Sequence, residues 1–285
     1  MEISSSSENL VSGIEHNNRL RHHPSGNRAF SLRDPHGKEV TYRYGQDRKR
    51  FLRYLRIGKT WFLDPSFFPP DSEEVKQIPS GDIIWIAPGE EGSKPLHWSH
   101  HPYTASILHA LTYAELTGKT VLDLGCGNGL LGVQALKLGA SKVIGIDNDG
   151  KWESEFNANA KGNGFSDKMD FRSYDLSSPE KWLSSLDTEA VEVFIANIGP
   201  HYGDIDLLSI RLLEKFPNAL TFIGGGYVLP LIKGHHSLVP DRAYEELETQ
   251  GFTVTLELKE IIREEGLPEK QNRLSFVAAK SQDLA

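Results

Sequence analysis

An apolar strand, a turn of glycines, a helix and a second strand follow one another in "KTVLDLGCGNGLLGVQALKLGASKVIGIDND", residues 119–149. Gly125, Gly127 and Gly129 occupy alternate positions of that turn. Residues without a Cβ allow a tight passage from strand to helix and let a ligand come close to backbone amides. A helix of this length leading back to another apolar strand is a crossover between parallel neighbours. Such a unit requires a sheet covered on both faces, so it restricts the rest of the chain.

The sequence after His101 obeys that restriction. "YTASILHALTYAEL" has apolar residues at helical spacing and stops at Thr117-Gly118. Strand patterns then recur at "TVLDLG", "KVIGIDN", "MDFRSYD", "VEVFIANIG" and "ALTFIGGGY". Helical patterns lie between them, in "GLLGVQALKLG", "GKWESEFNANAKGNG", "SPEKWLSSL" and "LLSIRLLEKF". After a further helix, "DRAYEELETQG", the segments "FTVTLELKEII" and "NRLSFVAAK" read as an antiparallel pair. The expected class is α/β: a doubly wound, mostly parallel, seven-stranded Rossmann-like sheet with an antiparallel last strand.

The earlier residues have another texture. Residues 1–25 are rich in Ser, Asn and Glu and read as disordered. Residues 26–95 read as a small strand-rich unit, with a hairpin in "AFSLRDPHGKEVTYRY" and a short buried strand in "GDIIWIAPG". In the same unit "DRKRFLRYLRI" is expected to be helical, with Phe51, Leu52 and Leu55 inward, and "KTWFLDPSFFPPDSEE" to be loop. Residues 96–285 form the expected sheet domain.

Charge divides the chain similarly. Residues 1–60 hold 12 lysines and arginines against 6 acids, leaving 19 against 33 in the remainder of a chain with net charge −8. The basic stretch "DRKRFLRYLRIGK" reads first as a solvated face or a complement to the acidic body, and an acidic partner or nucleic acid comes second. Nucleic acid is not expected as a partner. The single cysteine, Cys126, excludes an internal disulfide and fits a reducing, cytoplasmic setting. No apolar run approaches the roughly 20 residues of a membrane span, and no secretory signal opens the sequence. The clusters His97, His100, His101 and His235-His236 are not expected to hold a metal, since no cysteine lies nearby to complete a site.

What the glycine turn binds is restricted by its acids. Asp147 ends the second strand 18 residues beyond Gly129, where a carboxylate can accept both hydroxyls of a ribose. A dinucleotide pattern, Gly-x-Gly-x-x-Gly, can be found at Gly127, Gly129 and Gly132, so the glycines alone leave that ligand open. Asp123 weighs against it, since a carboxylate beside the turn repels a pyrophosphate and attracts a cation. The lysine of a triphosphate-binding loop is missing. A nucleoside with a positively charged amino-acid end fits these constraints, namely S-adenosyl-L-methionine, with S-adenosyl-L-homocysteine as its product.

The segment "VLDLGCGNGLLGVQALKLGASKVIGIDND" resembles the cofactor segment of class I S-adenosylmethionine-dependent methyltransferases. Within that class it is most similar to the ribosomal-protein methyltransferases of the PrmA type. "HHPYTASILHAL" resembles that family's His-Pro-Thr-Thr helix entry, "ANIGP" its Ala-Asn-Ile-Leu motif, and "NANAKGNG" the Asn-Ala-x-x-Asn-Gly end of its second helix. The resemblance implies that Gly125, Gly127 and Gly129 border the methionine part of the cofactor, with Asp123 near its amino group. It places Asp147 on the ribose, Asn148 at the adenine edge, Asp175 on the adenine amino group and Thr104 in the pocket wall. It sets Asn197 facing the transferred methyl. The chain departs from the family at His97-Trp98-Ser99, where the family has Gly-Thr-Gly, and before residue 95.

Methyl transfer to an amine needs alignment, exclusion of water and a neutral nucleophile. Asn197 offers an acceptor for amine N–H groups, and His201 or Tyr202 can take the proton. Trp98, His101 and Tyr103 are candidate contacts to the acceptor. The expected activity is transfer of a methyl from S-adenosylmethionine to an amine nitrogen of a protein, peptide or small metabolite. The alternatives are an O- or C-methyltransferase acting on a small metabolite, and a catalytically silent binding module. Neither the acceptor's identity nor the oligomeric state can be read from the sequence.

Overall fold

The computed structural model describes residues 27–33, 39–46, 52–86, 101–148, 150, 152–197, 215–216, 219–224, 252–262 and 270–280. The chain divides into two compact units: Met1–Ser31 with Val40–Ser99, and Leu32–Glu39 with His100–Ala285.

In the first unit the strands β1 (Asn27–Arg33), β2 (Glu39–Gln46), β3 (Leu52–Ile57), β4 (Thr60–Leu63) and β5 (Ile83–Trp85) lie in the order β5-β4-β3-β2-β1. β3 pairs antiparallel with β2 and β4, and β5 joins β4 in parallel. A one-turn helix, α1 (Glu73–Lys76), sits between β4 and β5, its first turn capped by the Ser72 hydroxyl. Tyr54, Trp61, Leu63, Phe68, Val75, Ile78 and Ile83 form the core on one side.

Two expectations fail in this unit. "DRKRFLRYLRI" does not supply a helix: its Leu52–Ile57 is strand β3, and Thr60–Leu63 of the presumed loop is strand β4. The helical reading rested on apolar residues at positions 51, 52 and 55. Tyr54, Leu55 and Ile57 are all buried, so apolar residues point to both faces, which a doubly covered strand accommodates. A Gly58-Lys59 turn, with Gly58 at φ +58°, closes the β3–β4 hairpin. Pairing on both edges outweighs the weak local preference. Leu55 is buried as expected, whereas the side chains of Phe51 and Leu52 lie outside the described residues.

The second unit carries α2 (His101–Ala110), β6 (Thr120–Leu124), α3 (Leu130–Lys137), β7 (Lys142–Asp147), α4 (Trp152–Gly162), β8 (Met169–Ser173), β9 (Val191–Ala196), β10 (Leu220–Gly224), β11 (Phe252–Ile262) and β12 (Lys270–Lys280). The strand order is β8-β7-β6-β9-β10-β12-β11. β8 to β10 are parallel, and β12 runs antiparallel to both β10 and β11. The expected parallel α/β sheet is present, and its strand segments match the sequence pattern. "SPEKWLSSL" forms two short 3-10 turns, Pro179–Lys181 and Leu183–Leu186. The expected helices in "LLSIRLLEKF" and "DRAYEELETQG" lie largely or wholly outside the described residues, as does the disorder expected of residues 1–25.

β6 is the strand from which the order runs both ways, toward β7 and toward β9. At such a switch point the connections leave on opposite faces, opening a crevice at the strands' carboxyl ends. Helix α3 packs on β6 and β7, and α2 on β10, β11 and β12. Arg172 of β8 donates to Glu189 (2.6 Å) and to the Ser185 carbonyl (2.9 Å), and Lys142 of β7 donates to Glu189 (2.8 Å). These bonds tie the segment between β8 and β9 to the sheet. No helix among the described residues is long and apolar enough to cross a membrane.

Candidate cofactor site

The register aligns the candidate residues at the crevice. Leu124 pairs with both Ile146 and Ala196, so Gly125, Asp147 and Asn197 leave three adjacent strands at one level. Asp147 pairs with Ser173 of β8, two residues before Asp175. Four strand ends thus converge.

The glycine turn has the backbone its composition requires. Gly125, Gly127 and Gly129 have φ +66°, +50° and +78°, a left-handed region that costs side-chain-bearing residues energy. Gly125 N–H donates to the Ile146 carbonyl at 2.8 Å, anchoring the turn to β7. Gly127 N–H donates to Asp147 Oδ2 at 2.9 Å. A Cβ on Gly127 would meet nothing within 4 Å, so that corner borders open space.

Beneath the turn the packing is tight. An added Cβ would lie 2.6 Å from the Phe156 ring at Gly129 and 2.5 Å from the same ring at Gly145. The sequence shows Gly145 only as an interruption of strand β7; its spatial partner, eleven residues later on α4, gives the reason for it.

The acids are the main electrostatic feature. Asp123 is fully buried, and neither carboxylate oxygen has a hydrogen-bond partner among the described residues. Burial raises its pKa to about 8, and the negative charge of Asp147 adds to the rise. The Cys126 thiol is pushed up by burial and then by Asp123 and Asp147. Asp147 is 5% exposed. Two acids so sheltered on neighbouring strands favour an incoming cation.

The other expected site residues are placed as follows. Asn197 Nδ2 donates to Thr104 Oγ1 at 2.9 Å, joining positions 93 residues apart and directing the amide's donor end to α2. Asn148 is exposed directly after Asp147. Asp175 is exposed, and its Oδ1 accepts from Ser177 N–H (2.9 Å) and Oγ (2.7 Å), which lowers its pKa. His201, Tyr202 and Trp98 lie outside the described residues, as do the side chains of His101 and Tyr103. The histidine clusters at 97–101 and 235–236 cannot be placed either. Sequence reasoning passed over Phe156 and saw Asn159 only as part of the helix end "NANAKGNG"; the link of both to the turn depends on how α4 packs.

Residues 99–202 match the family model of PrmA, ribosomal protein L11 methyltransferase. The ribosomal protein L11 methyltransferase of Escherichia coli strain SMS-3-5 is 50% identical over 161 residues, covering 55% of this chain and 48% of that protein. Its counterpart in Shigella boydii serotype 18 is 50% identical over 117 residues, 41% of this chain and 36% of that protein. The chain therefore spans about half the length, or less, of these relatives. The crystal structure of ribosomal protein L11 methylase from Lactobacillus delbrueckii subsp. bulgaricus superposes with a TM-score of 0.52 at 18% identity, covering 78% of this chain and 95% of that one, which shows a common fold. Through residues 99–202 the chain is similar to the PrmA-type methyltransferases, on the Rossmann-like fold of the class I S-adenosylmethionine-dependent enzymes.

Proposed function

We propose that this chain is an S-adenosylmethionine-dependent methyltransferase acting on an amine nitrogen of a protein, peptide or small metabolite. The observation that carries the reading is the buried acid pair, Asp123 and Asp147, around a left-handed glycine turn at the sheet's switch point. A protein acceptor is favoured, because the matched relatives are named for methylation of ribosomal protein L11.

The residues present fit the cofactor. Asp123 has two buried oxygens without partners and can receive an ammonium group. Asp147, at the end of β7, would accept the ribose hydroxyls, with Asn148 directly after it and Asp175 beyond the end of the neighbouring strand. Gly125, Gly127 and Gly129 let the ligand approach the backbone. When bound, S-adenosylmethionine supplies an electrophilic methyl group on a sulfonium.

The chain's own contribution is placement and proton removal. With its donor end on Thr104, Asn197 can present Oδ1 as an acceptor for the amine's N–H groups. That holds the nitrogen lone pair in line with the carbon–sulfur bond. Transfer of that methyl would leave the acceptor nitrogen cationic and S-adenosylhomocysteine as the other product, and the nitrogen would shed a proton for which His201 and Tyr202 are the candidate bases. In this reading the unit spanning residues 26–95 selects the acceptor, with Trp98, His101 and Tyr103 contacting it.

The test is methyl-label transfer from labelled S-adenosylmethionine to ribosomal protein L11, to peptides and to small amines, by the wild type and Asp147→Ala. Label should appear on an amine nitrogen. Asp147→Ala removes the ribose acceptor and the partner of Gly127 N–H together, so kcat/KM for the cofactor should fall by about 10- to 150-fold, roughly 1.5–3 kcal/mol. Label on oxygen or carbon would replace the N-methyl reading. Cofactor binding without transfer to any acceptor would favour a silent module, and an unchanged Asp147→Ala variant would remove Asp147 from the site.

A further inference from the structure

We infer that Asn159 of α4 is a positioning residue that holds the cofactor turn in its binding shape, a role that rests on the proposed cofactor site. Three residues of the turn lack side chains and sit at positive φ, so the turn has little of its own to select one conformation. It is held from outside at two consecutive residues. Asp147 accepts from Gly127 N–H at 2.9 Å, and Asn159 Nδ2 donates to the Asn128 carbonyl at 2.8 Å, 31 residues away in sequence. The second contact is sheltered, with Asn159 1% and Asn128 5% exposed.

Asn163 closes the end of α4 by bonding the Asn159 carbonyl through both its side chain (2.8 Å) and its backbone N–H (3.2 Å). One turn earlier on the same buried face, Phe156 fills the space left by Gly129 and Gly145. The phenyl ring thus supports the turn from below while the amide fixes the direction of the Asn128 peptide. Gly129 N–H belongs to the same peptide unit and bonds the Cys126 carbonyl at 2.8 Å, so rotation of that unit would break both bonds and disturb the loop. A turn ordered before the ligand arrives spares binding the entropy of ordering it.

Asn163 provides the control, because the bond that Asn163→Ala removes runs to the Asn159 carbonyl at the same helix end, whereas the turn's Asn128 carbonyl is bonded by Asn159. The experiment measures S-adenosylhomocysteine affinity by calorimetry for the full-length wild type, Asn159→Ala, Asn159→Leu and Asn163→Ala. Leucine fills much of the asparagine volume without the donor, which guards against a folding failure of the alanine variant. Amide hydrogen exchange over residues 127–130 is followed in parallel without ligand. Both Asn159 variants should bind at least tenfold more weakly and exchange faster in the turn, whereas Asn163→Ala should stay within about twofold on both. Unchanged turn exchange in the Asn159 variants overturns the inference, as does an affinity loss equal to that of Asn163→Ala. Wild-type protein that fails to bind S-adenosylhomocysteine overturns the proposed function instead, and turn exchange still decides whether Asn159 holds the loop.

Discussion

Asp123→Asn should make the folded protein less sensitive to pH and more stable than the parent at pH 8. The parent side chain is fully buried, and burial followed by the charge of Asp147 raises its pKa to about 8 from an ordinary 3.8. Between those values the folded state holds a proton that the unfolded state releases. Its contribution to stability is therefore fully present below about pH 4 and is lost as pH rises through about 8. One such proton gives a slope of up to about 1.4 kcal/mol per pH unit across that window. An amide cannot ionise, so the variant should lack this slope. Urea denaturation from pH 5 to 8.5 should show the two proteins within about 1 kcal/mol at the acid end, diverging steadily toward the alkaline end. Parallel curves would mean that Asp123 ionises in the ordinary range. In the proposed role, the cofactor's cationic end displaces the proton that Asp123 holds in the empty fold and pairs with the carboxylate that results. The variant should thus gain stability and lose cofactor affinity.

Phe156→Ala should cost about 3–5 kcal/mol, the range for removing a buried aromatic ring. Phe156 has no exposed surface and stands edge-on to Phe171, with ring centroids 5.4 Å apart. Its ring also occupies the positions that Cβ atoms would take at Gly129 and Gly145. Gly145→Ala alone should destabilise by about 1–3 kcal/mol through overpacking. Removing the ring relieves its share of the clash, while Cys126 Sγ still stands 2.8 Å from the added carbon, so the double variant should be more stable than the sum of the single effects predicts but should keep part of the overpacking cost. Urea midpoints at constant m measure both the loss and the coupling. A Phe156→Ala cost below about 1 kcal/mol, or strict additivity, would contradict the described packing.

The sheet was legible because strand and helix periods alternate from residue 120 to residue 162, and each strand segment read between residues 120 and 196 matches an observed strand. Tertiary context decided the region around residue 55. Apolar residues at 51, 52 and 55 fit a helix, but Tyr54, Leu55 and Ile57 are buried together only in a strand covered on both faces. At the site, the glycines and the two acids were visible as a local pattern. The burial of Asp123, with its raised pKa, depends on what closes over it. Asn159 illustrates the same limit. "NANAKGNG" is visible as a helix end, yet the bond to Asn128 exists only because α4 packs beside the turn. The acceptor residues Trp98, His201 and Tyr202 remain expectations from motif and neighbourhood.

The central claim is that the turn between β6 and α3, flanked by Asp123 and Asp147, accepts S-adenosylmethionine. The most direct test is a thermal titration of the wild-type protein with S-adenosylhomocysteine and, separately, with NAD. Saturation with S-adenosylhomocysteine at about 100 times its Kd should stabilise the fold by about 2.7 kcal/mol, with no response to NAD. A response to NAD without one to S-adenosylhomocysteine or S-adenosylmethionine would contradict the account.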